Sequence, residues 1–387
     1  MLTKDTWMHE DGFGIIGSDI IRRYTLTNKS KASVCLISFG AGIQSIRVPN
    51  KNGILGDVVL GWDDINGYQE NRFIGRTIGR VTKTITDGII TIVSKKNFSS
   101  ENYDKNNRYH FNSGLINFDN VNWDCHIIDK SVVMSYLSRN RSDGYPGDML
   151  TQIKYTWTDD NQLFINIRAT STRSTVANIS NYCLFNLAGH GTGAGELNKH
   201  IVTVNSDKWV HEELNKPPLV HSAIGTIFDL RKPTILSSKT LRQVPGGGFN
   251  HNLIINSPST WCYRFHARVL HPKSGRFVEV YSNQPGIYLS TANNLPNLQI
   301  NDSFVLNGNH WNRSSDVVSN DELQNLIEQK DIKLYGKGGI LYKKHSGFLI
   351  SPQNYSNFGS VKYFPSCVLH PGNIYQHDMS LKFGVKV

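Results

Sequence analysis

The stretch from Asn178 to Gly189 reads Asn-Ile-Ser-Asn-Tyr-Cys-Leu-Phe-Asn-Leu-Ala-Gly. It sets amides, hydroxyls and a thiol among apolar side chains. Tyr182 offers a phenol, which with an ordinary pKa of about 10 gives hydrogen bonds at neutral pH without losing its proton. His190 follows in a Gly-rich turn and His110 precedes in Asn106-Asn107-Arg108-Tyr109-His110. The five cysteines, Cys35, Cys125, Cys183, Cys262 and Cys367, are widely spaced and odd in number. That pattern fits free thiols in a reducing compartment better than a disulfide framework. With no Cys-x-x-Cys pair and no histidine pair at helical spacing, no metal site is expected.

Period-two alternation predicts the elements that must hold these groups. Ile153, Tyr155 and Trp157 oppose Gln152, Lys154 and Thr156, and Leu163, Ile165, Ile167 and Ala169 oppose Phe164, Asn166 and Arg168. Further strands read at 89–93, 132–137, 201–204 and 277–281, with turns at Asn52-Gly53, Asp87-Gly88, Asp143-Gly144, Asp159-Asp160-Asn161 and Ser274-Gly275. Many short strands and such turns predict an all-β, antiparallel architecture. One segment departs from this pattern. Ser319-Asn320-Asp321-Glu322 reads as a capping box before Leu323, Leu326 and Ile327, predicting a short helix over 321–330 inside a polar insertion at 295–333. No linker interrupts residues 1–387, so a single domain is expected.

The formal charge is +10 over 387 residues, but Arg22-Arg23, Lys95-Lys96 and Lys343-Lys344 are the densest basic clusters. Without a basic stripe, a solvated surface is expected and no nucleic-acid partner. No apolar run approaches the ~18 residues of a membrane helix. The first ten residues lack the apolar region of a secretory signal, so a cytoplasmic protein is expected.

Several motifs follow one another in a fixed order. They are Asp57-Val58-Val59-Leu60-Gly61-Trp62, Gly79-Arg80-Val81, Gly144-Tyr145-Pro146-Gly147, the Asn178–Gly189 stretch, Phe228-Asp229-Leu230-Arg231, Ser274-Gly275-Arg276, Gln353-Asn354 and Leu369-His370-Pro371-Gly372. This series resembles the galactose mutarotase (aldose 1-epimerase) family over most of the chain. The resemblance implies a β-supersandwich of antiparallel sheets, a sugar cleft on a sheet face, and no cofactor. It also implies a reaction in which a base takes the C1 hydroxyl proton while an acid protonates the ring oxygen. Opening, rotation and closure then interchange the α and β anomers.

Carried over residue by residue, the resemblance places substitutions at the chemistry. The family's acid, a histidine, falls at Tyr182, and its base, a glutamate, at Ser351. A lone serine hydroxyl is a very weak base at neutral pH and needs an activating partner. The sugar-binding Asp of Gly-(Tyr/Phe)-Asp-His becomes Asn250, an amide that still donates and accepts. The Asn-Arg pair after Gly-Arg-Val becomes Lys83-Thr84, which loses a planar fork of donors. His110 keeps the second histidine, but Phe111-Asn112 replace the two glycines beside it. Gln353 is retained for substrate binding.

Scaffold kept and site replaced is the pattern of a carbohydrate-binding pseudo-enzyme. Two alternatives stay open: an aldose 1-epimerase or sugar-phosphate epimerase with a rebuilt site, and an interaction protein with an occluded cleft.

Overall fold

The computed structural model describes residues 7–82, 118–212, 218–296, 333–355 and 364–386, together with the backbone of four short strands, Thr84–Thr86, Ile89–Val93, Lys96–Ser99 and Tyr109–Phe111. Strands dominate it, and every ladder between them is antiparallel. The expected helix over 321–330, the insertion residues 297–332, and Lys83 lie outside the described residues.

A nine-stranded sheet forms the base. In spatial order it runs Asp124–Ile128, Ser131–Ser138, Met149–Trp157, Gln162–Ser171, Tyr375–Val385, Arg276–Ser282, Arg264–Leu270, Ile201–Val204 and Thr234–Ile235. The alternation read in the sequence is the alternation of its faces: Ile153, Tyr155 and Trp157 are buried, as are Leu163, Ile165 and Ile167 across the ladder. Side chains of period two leave one face apolar, which fixes the register. Tyr375–Val385 fills the middle, paired on one side with Gln162–Ser171 and on the other with Arg276–Ser282.

Two further sheets cover that apolar face. A five-stranded meander, from Trp7–Ile16 to Leu55–Asp57, is tied to the base by Tyr155 Oη donating to Ala41 O at 2.7 Å and Trp157 Nε1 to Ala32 O at 3.1 Å. A six-stranded sheet runs Leu184–Phe185, Phe348–Gln353, Gly286–Ser290, Asn250–Ile255, Ser206–His211 and Leu219–Ser222. Its Phe348, Ile350, Ile287, Leu289 and Leu253 join the same buried cluster as Ile165 and Phe383 of the base sheet. Phe185 spans the two sheets, with its ring 5.8 Å from Phe348 and 6.2 Å from Phe383.

The quoted motifs turn out to be joints of this scaffold. Arg80 is buried and donates to Pro146 O at 3.0 Å and Gly147 O at 2.8 Å, so Gly-Arg-Val holds the Gly-Tyr-Pro-Gly hairpin. It also donates to Ser138 Oγ and O, Arg139 O and Thr175 Oγ1. Arg276 of Ser-Gly-Arg reaches Val48 O, Leu187 O and Ile54 O, each at 3.1 Å. Asn178 clasps Asn354, donating to its carbonyl at 3.2 Å and accepting from its N–H at 2.9 Å. Asn186 donates to Ser346 O at 3.0 Å. These amides and guanidinia bond backbone carbonyls of segments remote in the chain and so tie the loops together.

Candidate active-site cleft

The six-stranded sheet has a second face, and its composition is different. Residues paired across a ladder share a face, so Tyr288, opposite both Ser351 and Asn252, lies with them. Alternation adds Leu349 and Gln353 on one neighbouring strand and Asn250 on the other. This face mixes amides, hydroxyls and a phenol with Leu349, where the opposite one is apolar.

The Asn178–Gly189 stretch borders this face. Ser180–Asn181 pairs with Thr77–Ile78, Tyr182 N donates to Arg76 O at 2.9 Å, and Gly75 N donates to Tyr182 O at 2.8 Å. Gly75 has φ +76°, and a Cβ there would lie 2.6 Å from Ile43 O, so this close approach requires glycine.

Tyr182 Oη donates to Gln353 Oε1 at 3.4 Å, Gln353 Nε2 to Asn252 Oδ1 at 3.2 Å, and Asn252 Nδ2 to Glu212 Oε1 at 3.0 Å. The Tyr182 and Tyr288 rings are 6.1 Å apart and inclined by 30°. Tyr288 Oη donates to Asn250 Oδ1. Burial, the neighbouring Tyr288 and the Glu212 charge together hold the Tyr182 phenol well above its ordinary pKa. It therefore keeps its proton at neutral pH.

Ser351 is 1% exposed, and its Oγ lies 2.6 Å from Ser180 Oγ. Ser180 spends its own proton on Pro352 O at 2.7 Å, so Ser351 is the donor of the pair. Among the described residues, no imidazole or carboxylate joins the two hydroxyls, and none of them activates Ser351 as a base.

Of the residues expected at the site, Tyr182, Asn250, Ser351 and Gln353 thus meet on one face. Thr84 follows closely after Thr82, whose N–H donates to Asn178 O at 2.8 Å. His110 pairs with Ile85, and Phe111 with Thr84, in a two-stranded ladder described as backbone only. His190 turns elsewhere: its Nδ1 is 3.0 Å from Tyr342 Oη, and burial and the nearby Lys337 lower its pKa. Asn252, Tyr288 and Glu212 did not emerge from the motifs. Alternation from Asn250 could have found Asn252. Tyr288 and Glu212 need the register of strands remote in sequence.

Antiparallel sheets stacked in this way, with a polar face of linked amides and phenols, form a galactose-mutarotase-like fold. The aldose 1-epimerase family model matches residues 22–382, and the chain belongs to the aldose 1-epimerase family. It is 32% identical to the galactose mutarotase of Bos taurus over 373 residues, 96% of each chain. To that of Homo sapiens it is 33% identical over 355 residues, 91% of each. Among solved structures, an aldose epimerase homologue from C. elegans superposes with a TM-score of 0.73 at 22% identity, over 93% of this chain and 97% of that one. The galactose 1-epimerase of Lactobacillus acidophilus also gives 0.73, at 18% identity, over 99% and 100%.

Proposed function

We propose that the chain is a non-catalytic member of its family that binds a small carbohydrate on the polar face of the six-stranded sheet. The observation that carries this reading is Ser351, a buried hydroxyl whose proton is committed to Ser180 where the family's base is expected. A phenol held well above its ordinary pKa at the acid position supports it. Amides at Asn250, Asn252 and Gln353 still suit a polyhydroxylated ligand, since each can donate and accept.

Glu212 favours a second reading, a rebuilt epimerase, because it brings a carboxylate into hydrogen-bond connection with Tyr182. Polarimetry on freshly dissolved α-galactose or α-glucose near pH 7 separates the two. The first reading expects the spontaneous rate together with saturable binding of sugar by calorimetry. Turnover by the unaltered chain that Glu212→Gln abolishes would establish the second.

A further inference from the structure

The amide chain behind Tyr182 has a direction, and one residue sets it. A carboxylate without its proton only accepts hydrogen bonds, so Asn252 must turn its NH2 toward Glu212, at 3.0 Å. The carbonyl end of Asn252 then faces Gln353, whose NH2 donates to it at 3.2 Å. This leaves the Gln353 carbonyl facing Tyr182, and the phenol donates into it at 3.4 Å. Reversing either amide would oppose NH2 to NH2 or oxygen to oxygen at a neighbouring link. Asn252 and Gln353 are buried, so water does not substitute freely for a mismatched partner.

We infer that Glu212 is a positioning residue that makes Tyr182 an acceptor toward the ligand. The single phenolic proton is spent inward on Gln353, and only oxygen lone pairs are left for a bound molecule. The ligand atom that meets Tyr182 is therefore a donor, a hydroxyl of a sugar or polyol. A pyranose ring oxygen, which only accepts, is not matched there. This rests on the reading of the face as a sugar site, and it assigns the chemistry of one contact within that site.

The test has one arm without ligand and one with it. In protein carrying tyrosine labelled with 13C at Cζ, the Tyr182 resonance is identified by its loss in Tyr182→Phe. Cζ moves downfield when a phenol donates and upfield when it accepts. Glu212→Gln, which can present either end of its amide, is expected to move the resonance upfield. An unchanged or downfield position overturns the inference, whether or not a sugar binds.

In the second arm, galactose and its mono-deoxyfluoro derivatives are titrated by calorimetry, fluorine being unable to donate. One derivative is expected to bind the unaltered chain about tenfold more weakly than galactose, a factor worth about 1.4 kcal/mol. That preference should fall below about threefold in Glu212→Gln and in Tyr182→Phe. Equal binding of all derivatives to the unaltered chain, or a full preference kept in Glu212→Gln, overturns the inference. Failure of every sugar to bind would instead remove the proposed function and leave the first arm to decide.

Discussion

Ser351 and Ser180 stand 2.6 Å apart, oxygen to oxygen, on segments separated by 171 residues. The onward bond from Ser180 to Pro352 O gives the pair a fixed sense, with Ser351 donating. A hydroxyl used in this way closes the backbone arrangement around the clasp of Asn178 and Asn354. Used in this sense, Ser351 gives a proton to its neighbour and is not set to take one from a sugar.

Restoring the family's groups should therefore restore some chemistry. The double variant Ser351→Glu with Tyr182→His is expected to accelerate galactose mutarotation over the parent in polarimetry. The gain should fall short of the full 10²–10⁴-fold that each positioned acid or base contributes, roughly, in a mature site, because Thr84 and Asn250 remain. A folded double variant, by circular dichroism, that stays at the spontaneous rate would show that Ser351 does not occupy the base position.

Arg80 should be among the most costly residues to replace. Burial pulls its pKa down to about 10, yet its guanidinium satisfies four backbone carbonyls and two hydroxyls. Arg80→Met strips these acceptors of their shared donor and leaves buried ones such as Gly147 O without it, and the expected loss is about 3–5 kcal/mol in urea unfolding. Arg80→Lys should recover little of it, since an ammonium cannot reproduce the planar fork. A loss below about 1 kcal/mol in either variant would contradict this account of the hairpin joint.

Two buried histidines predict an acid limit to stability. His200 Nε2 accepts from Leu187 N at 3.0 Å, which requires the neutral ring, and burial depresses its pKa to about 4. His377 donates from Nδ1 to Ile179 O at 2.8 Å and is likewise depressed by burial to about 4. Below the unfolded value of about 6.5, the unfolded chain binds protons that the folded chain refuses, so stability rises with pH across this window. Each should contribute up to about 1.4 kcal/mol per pH unit between about pH 6 and 4, and nothing further above about 7. Urea midpoints measured across that range in the parent and in His377→Gln should converge as pH falls; parallel curves would refute the assignment.

The five cysteines are free thiols, and their reactivities should separate. Burial raises the pKa of Cys183 and Cys367, and Asn354 Nδ2 lies 2.9 Å from the Cys367 sulfur. Mass spectrometry after brief alkylation at pH 7.5 should find both unmodified while the partly exposed Cys262 reacts. Rapid labelling of Cys367 in the folded chain would mean that the Asn354 clasp opens readily.

The sequence displayed the base sheet well, because one apolar face forces strict alternation: Met149–Trp157 and Gln162–Ser171 lie where the pattern predicts, extended by a few residues. The motif series displayed the joints, since Arg80, Arg276, Asn178 and Asn186 each bond carbonyls distant in the chain. The polar face was half legible. Tyr182, Ser351, Asn250 and Gln353 sit inside motifs, but Tyr288 and Glu212 gain meaning only from the register that sets them beside remote partners. His190 had no such constraint in the sequence, and it is Tyr342 that claims it.

The middle of the nine-stranded sheet carries a consequence for synthesis. Every other strand of that sheet precedes Tyr375–Val385 in the chain, yet this strand alone joins the half ending at Gln162–Ser171 to the half ending at Arg276–Ser282. While the chain is still on the ribosome, both halves wait with an unpaired inner edge, and such edges recruit foreign strands. Closure of the base sheet at its seam therefore waits for Tyr375–Val385, and nascent chains halted before residue 375 should depend on chaperones that shield open edges.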